Sequence, residues 1–267
     1  MAFTKQTLFL AALSLVAIEA FANETPPVAT NVVFPQYPNE AKRREKEGWV
    51  YLSMHISAEG DVVSAKVVRS YPTAIFDEAA LVAAKRTKYK PRFVDGVATE
   101  EPDFKSAITF FIPEHRGIRS RYQDDFSNAL TALSKRDVAA SEQYVGQLRQ
   151  LYEDEKLGLS ELARYFQCEA YLASDKQDYV RVSEFIALAL SMSPQLESRD
   201  VVDDLHLQQI IAFVGINQFH NAVDYYDSWR KVSSSPVPQS ASEAIEKMRK
   251  AGYGRGREFR IAKFRSN

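Results

Sequence analysis

The chain has 267 residues, 45% of them hydrophobic, which is enough for one large or two modest domains that each bury a core. Its 34 basic and 35 acidic residues balance to a net charge of −1, so the overall charge gives no electrostatic basis for binding nucleic acid. A single cysteine, Cys168, excludes an internal disulfide and any multi-cysteine metal site; with Tyr165, Phe166 and Leu172 at helical spacing it reads as a packed core thiol.

Residues 1–22 read as a secretory signal peptide: Lys5 in a short basic region, an apolar run over 8–18, and Ala20-Phe21-Ala22 as a small-x-small cleavage site. The mature chain then begins at Asn23. An uncleaved anchor is the alternative, although a helix over that run covers only about 16 Å of roughly 30 Å of hydrocarbon. Residues 23–33, with Pro26-Pro27, are expected to form a short extended tether.

Residues 34–113 change character. Pro38 can start a short charged helix over 39–47, stopped by Gly48. The period then becomes two: Val50, Leu52, Met54 and Ile56 share one strand face, with Trp49, Tyr51, Ser53, His55 and Ser57 on the other. Val63, Ala65 and Val67 repeat the alternation after the turn at Ala58-Glu59-Gly60-Asp61, so a β-hairpin is predicted. Asp77 is a candidate N-cap for a helix running to about Tyr89, whose Phe76, Ala80, Ala84 and Thr87 lie along one stripe. Lys85, Arg86, Lys88, Lys90 and Arg92 make its end basic, which suits the helix dipole in a solvated terminus. A final apolar strand is predicted over 104–112, with Phe104, Ile108, Phe110 and Ile112 on one face.

From residue 119 to 232 the pattern is helical. Ala170, Tyr171, Leu172, Tyr179, Val182, Ile186, Ala189 and Pro194 resemble a tetratricopeptide repeat. Ala212, Phe213, Phe219, Ala222, Tyr226 and Trp229 repeat the pattern, and Ala132, Ala140 and Tyr144 suggest a first copy. Equating Ala140, Val182 and Ala222 gives spacings of 42 and 40 residues, longer than the usual repeat, so the region is tetratricopeptide-like. Stacked hairpins of this kind hold a protein or peptide on a curved surface; a plain supporting bundle is the alternative. Residues 233–267 comprise a Ser/Pro linker, a short helix over 241–250, and a basic tail that reads as solvated, as an extra strand, or as an anionic lipid or cell-wall contact.

The chemistry of catalysis is hard to find. His55, His115, His206 and His220 are scattered, and no nucleophile elbow, phosphate loop or dinucleotide fingerprint is present. No catalytic residue, cofactor, metal or small-molecule substrate is expected.

Gln36-Tyr37-Pro38, Glu47-Gly48, the turn with Gly60, the Phe76-Asp77 helix start, Tyr89-x-Pro91 and the closing strand, in this order and spacing, resemble the C-terminal domain of TonB energy transducers. The resemblance implies an α+β domain, a three-stranded antiparallel sheet with two helices, here followed by an all-α tetratricopeptide-like helical repeat domain. It also implies a periplasmic location and binding of a short extended segment of an outer-membrane TonB-dependent receptor for iron chelates or cobalamin. That segment adds to the last strand, with the Gln-Tyr-Pro segment beside it. Carried over by position, the partner-binding residues are Gln36, Tyr37, Pro38, Phe104, Ser106, Ile108 and Phe110. The bland alternative is that Tyr37-Pro38 anchors the first helix and 104–112 is an ordinary edge strand. Family transducers carry a membrane helix with a histidine that engages the motor proteins, then a long proline-rich stalk. Here the apolar run has no histidine and the tether is short, so the expectation is an adaptor that contacts the receptor. A second protein would sit on the helical repeat, and the alternative is a structural envelope scaffold that uses the repeat without receptor binding or energy transduction.

Overall fold

The structure is a computed structural model that describes residues 24–115, 117–192, 198–233, 236–254, 256 and 259. The expected signal segment and most of the basic tail lie outside the described residues. In chain order come strands β1 (Glu24–Thr25) and β2 (Val28–Asn31), helix α1 (Asn39–Arg43), strands β3 (Gly48–Ile56) and β4 (Val62–Tyr71), and helix α2 (Asp77–Arg86). Strands β5 (Lys88–Lys90), β6 (Arg92–Val94), β7 (Val97–Thr99) and β8 (Glu101–Phe110) complete the first unit. Helices α3 (Gln123–Ser134), α4 (Val138–Glu153), α5 (Leu159–Asp175), α6 (Tyr179–Ser191), α7 (Arg199–Gly215), α8 (Phe219–Arg230) and α9 (Gln239–Lys250) follow.

The main sheet has the order β4-β3-β8, antiparallel throughout. Val50, Leu52 and Met54 of the central strand point to the helical side and pack with Ala41, Phe76, Ala80, Ala84 and Phe110. The alanines of α2 let it approach the sheet closely, so the apolar period of two meets a small-residue helical stripe. Gly60 closes the β3–β4 hairpin at φ +90°, and a Cβ there would lie 1.8 Å from the Tyr89 carbonyl oxygen, so only glycine fits. Tyr89 donates its N–H to the Gly60 carbonyl at 2.9 Å, tying the turn to the far end of the unit.

Three local expectations change. Asp77 is the first helical residue and makes no capping bond, the cap position being Phe76, and its Oδ1 is buried without a partner. Helix α2 stops at Arg86 because Lys88–Lys90 extends to pair with β2. The expected tether is extended but docked: β1 pairs with β6, and the Val33 N–H donates to the buried Thr87 hydroxyl at 3.1 Å. Thr87 thus holds this strap onto the helix end.

The least legible feature is the second face of β3, which carries Ser53 and His55 beside Trp49 and Tyr51. Trp49 is completely buried there, 6.0 Å edge-on from the Phe166 ring of α5, and Tyr71 stacks on Tyr152 at 5.2 Å. Both belong to one hydrophobic core with residues of α3 to α7. An alternating strand records two faces but not what covers each; a helical layer far along the chain covers this one.

In the helical region each helix from α3 to α9 packs on the next. The inner turns of successive hairpins are built alike. Arg136, Gln177 and Asn217 sit at φ +54°, +59° and +60°, 41 and 40 residues apart, each followed by the residue that caps the next helix. The following N–H groups of Asp137, Asp178 and Gln218 return to the carbonyls of Ala132, Ala173 and Phe213, satisfying the ends of the preceding helices. Four residues after each cap come Ser141, Val182 and Ala222, all fully buried. The first equivalent position is therefore Ser141 rather than Ala140, and the hidden period is 41 and 40.

Candidate functional site

Strand β8 pairs with β3 along one side, with Phe110 opposite Gly48, Ile108 opposite Val50, Ser106 opposite Leu52 and Phe104 opposite Met54. Among the described residues no strand pairs with its other side, and α6 comes alongside it. An edge of this kind presents backbone N–H and carbonyl groups in a row.

The side chains at its even positions turn inward. Phe110 is buried and stacks on Phe76 at 4.3 Å, Phe104 meets Tyr89 edge-on at 5.5 Å, and Ile108 packs into the same core. What β8 offers an incoming strand is therefore its backbone. On the odd side Lys105 is exposed and pairs with Asp103, which also accepts from the Ser53 hydroxyl at 2.5 Å. These two bonds hold the Asp103 carboxyl below the usual range.

Gln36, Tyr37 and Pro38 follow the strap in the chain and line a groove with α2. Gln36 is exposed. Tyr37 lies edge-on to Phe76 at 5.6 Å and to Phe110 at 5.8 Å, and its hydroxyl donates to the Lys46 carbonyl at 2.6 Å. Burial, helped by the nearby Glu47 carboxylate, pushes the phenol up to about 12. The Pro38 carbonyl accepts the Lys42 N–H at 2.9 Å and starts α1. These residues line a groove of about 410 Å³ whose other wall is α2, including Ala79, Val82 and Ala83. Phe34 at its mouth is 85% exposed. Tyr37 thus joins the groove to the inner side of β8 through Phe110.

Glu47 ties both units together. One carboxylate oxygen accepts the Ile112 N–H at 2.8 Å, just beyond β8, and the other accepts the Leu159 N–H at 3.2 Å, at the start of α5. Burial raises its pKa and the two backbone donors oppose that rise. Gly48 must follow it, because a Cβ there would lie 2.2 Å from the Tyr71 carbonyl oxygen and 2.5 Å from the Phe76 ring. The connection after β8 is also fixed: Gly117 donates to Ser160 at 3.1 Å, and Arg119 donates through its N–H and Nε to Glu161 at 2.9 and 2.8 Å. The sequence marks Glu47 only as half of a motif. Its partners lie 65 and 112 residues away, beyond what spacing reveals.

Among the described residues no group of three or more His, Cys, Asp or Glu side chains could hold a metal ion, and no helix is long and apolar enough to cross a membrane. Cys168 is fully buried in the core, where burial pushes its thiol up to about 12.

Among the described residues the outer side of β8 is joined by no other strand, and helices cover the second face of the sheet. Residues 34–110 match the family model for the Gram-negative bacterial TonB protein C-terminal, so this unit is TonB C-terminal-domain-like, and a helix-rich region follows it. Protein TonB of Vibrio cholerae is 32% identical over 74 residues, 28% of this chain and 30% of that protein, so the chain spans under a third of that relative. Two solved structures are similar. The TonB C-terminal domain of Pseudomonas aeruginosa is 24% identical over 34% of this chain and 90% of that chain, with a TM-score of 0.28. The TonB2 protein of Vibrio anguillarum is 33% identical over 40% of this chain and 98% of that chain, with a TM-score of 0.26.

Proposed function

We propose that the chain is a periplasmic, non-enzymatic protein-binding adaptor. Its TonB domain takes an extended segment of an outer-membrane TonB-dependent receptor along the outer side of β8, and its helical region holds a second protein. The observation that carries this reading is the ten-residue edge strand whose outer side is joined by no other strand among the described residues. Strand addition there gains affinity from main-chain hydrogen bonds. In this reading Gln36, exposed at the groove, also meets the receptor segment, and Tyr37 and Pro38 hold the segment that carries it.

A photocrosslinker at the exposed Lys105, with the chain in envelope extract, tests the reading. Crosslinking to an outer-membrane receptor, reduced by Gln36→Ala, is the expected result. Recovery of no receptor, or recovery unchanged by Gln36→Ala, overturns it. Tyr37→Ala is unsuitable because Tyr37 packs on Phe76 and Phe110; Tyr37→Phe keeps that packing.

A second reading is a rigid envelope scaffold without receptor binding, favoured by the core that Trp49 and Tyr71 share with the helices. It predicts that the outward β8 amides are already protected from hydrogen exchange in the free monomer, whereas the adaptor reading predicts protection only when a receptor segment is added.

A further inference from the structure

Helix α8 carries His220, Asp224 and Ser228 four residues apart, hence on one face. Each accepts a backbone N–H from the chain's own C-terminal segment: Gly254 to His220 Nδ1 at 3.1 Å, Gly256 to Asp224 Oδ1 at 3.0 Å, and Phe259 to the Ser228 hydroxyl at 2.9 Å. Residues 254, 256 and 259 follow the direction of α8, and these three contacts read their backbone. Two aromatic rings fix its ends. Tyr253 lies 5.1 Å from Phe219 and 5.2 Å from the His220 ring, and Phe259 lies 5.2 Å from Tyr225 and 5.9 Å from Phe213. Between them Gly254 adopts φ +101°, and a Cβ there would lie 2.7 Å from Val223, so the groove floor admits only glycine at that point.

Three side-chain acceptors in register with the main-chain donors of a non-helical segment, with an aromatic socket at each end, form a binding groove rather than an ordinary helix surface. We propose that this face of α7 and α8 is a peptide-binding groove, occupied in cis by the chain's C-terminal segment. It accepts in trans a segment of another protein with the same chemistry: two aromatic residues six apart with glycine after the first. This deepens, and rests on, the reading that the helical region holds a second protein, and it names the face and the ligand class. The basic C-terminal segment then serves as a built-in competitor.

The test uses the full chain with Gly254→Val and Phe259→Ala, which loosen the segment without altering a groove residue, and a parallel chain ending at Lys250. The probe is a fluorescently labelled synthetic peptide of residues 251–267, followed by anisotropy. A cis competitor acts at an effective concentration of order millimolar, so both altered chains should bind the probe at least about tenfold more tightly than the unaltered chain. Adding Asp224→Ala and Ser228→Ala should remove that gain. Equal binding by altered and unaltered chains overturns the proposal, as does no binding by altered chains whose circular dichroism and unfolding midpoint match the original. A dimer of the unaltered chain that dissociates in the chain ending at Lys250 would make a second copy the occupant and overturn the cis assignment. If the probe binds neither altered chain while the photocrosslinker at Lys105 still captures a receptor, the groove is refuted and the receptor-binding reading stands.

Discussion

The Leu157 backbone N–H donates to the Tyr71 hydroxyl at 2.7 Å, so the last residue of an edge strand in the TonB-like domain satisfies the turn that enters α5 of the helical region. Both groups are buried, with Leu157 5% and Tyr71 3% exposed. Removing only the hydroxyl leaves a buried donor unpaired while keeping the ring that stacks on Tyr152. Tyr71→Phe should therefore cost about 1–3 kcal/mol, read as a lower urea midpoint with unchanged slope. An unchanged midpoint would mean that water reaches the Leu157 N–H.

Trp49 tests whether the two units unfold together. It fills the junction completely against Phe166, and its indole Nε1 is buried without a partner. Trp49→Ala opens a large cavity and should cost about 3–5 kcal/mol, enough to split one cooperative transition into two. Trp49→Phe removes the unpaired donor with a smaller loss of volume and should cost clearly less. Calorimetry of the three proteins distinguishes this from independent units, for which the helical transition would not move.

The same residue shows how far the sequence could be read. Period-two runs, the Gly60 turn and the alanine stripe of α2 are local signals, and they placed the three main strands and both helices close to their observed bounds. Trp49 stood among Ser53, His55 and Ser57 on the strand's more polar face. A tryptophan in such company was a sign that something covers that face, but its cover lies more than a hundred residues away, which no local period encodes. The end of α2 at Thr87 and the strap at 24–33 differ for the same reason: each is set by a partner distant in sequence. The edge of β8 was legible as an apolar strand. That its large side chains face inward became clear only once Phe76 and Tyr89 were in position.

The repeated turn gives a stabilising prediction. Asp137 and Asp178 cap α4 and α6 by accepting from Ala140 N–H at 3.1 Å and Arg181 N–H at 3.2 Å, while Gln218 at the third equivalent position makes no such bond. Asp137→Ala and Asp178→Ala should each cost about 1 kcal/mol, and Gln218→Asp should gain up to about as much. Thermal midpoints of the three variants check the assignment of these positions as equivalent. A loss on Gln218→Asp would contradict it.

His206 gives the helical region a pH dependence of defined sign. It is 4% exposed, its Nδ1 lies 2.7 Å from the Tyr225 hydroxyl, and burial lowers its pKa from 6.5 to about 4, against the pull of the nearby Asp203. The unfolded chain therefore binds this proton more readily than the folded one. The stability linked to neutral His206 is fully present above pH 6.5 and is lost as the pH falls from 6.5 to about 4. The loss at the acid end should reach about 3 kcal/mol. Glu47, whose pKa is raised by burial, acts in the opposite sense, its contribution weakening as the pH rises above the ordinary glutamate range. His206→Gln isolates the histidine: urea unfolding of the variant should lose most of the slope between pH 4 and 6.5 seen in the original chain. Retention of the full slope would place the acid-sensitive group elsewhere.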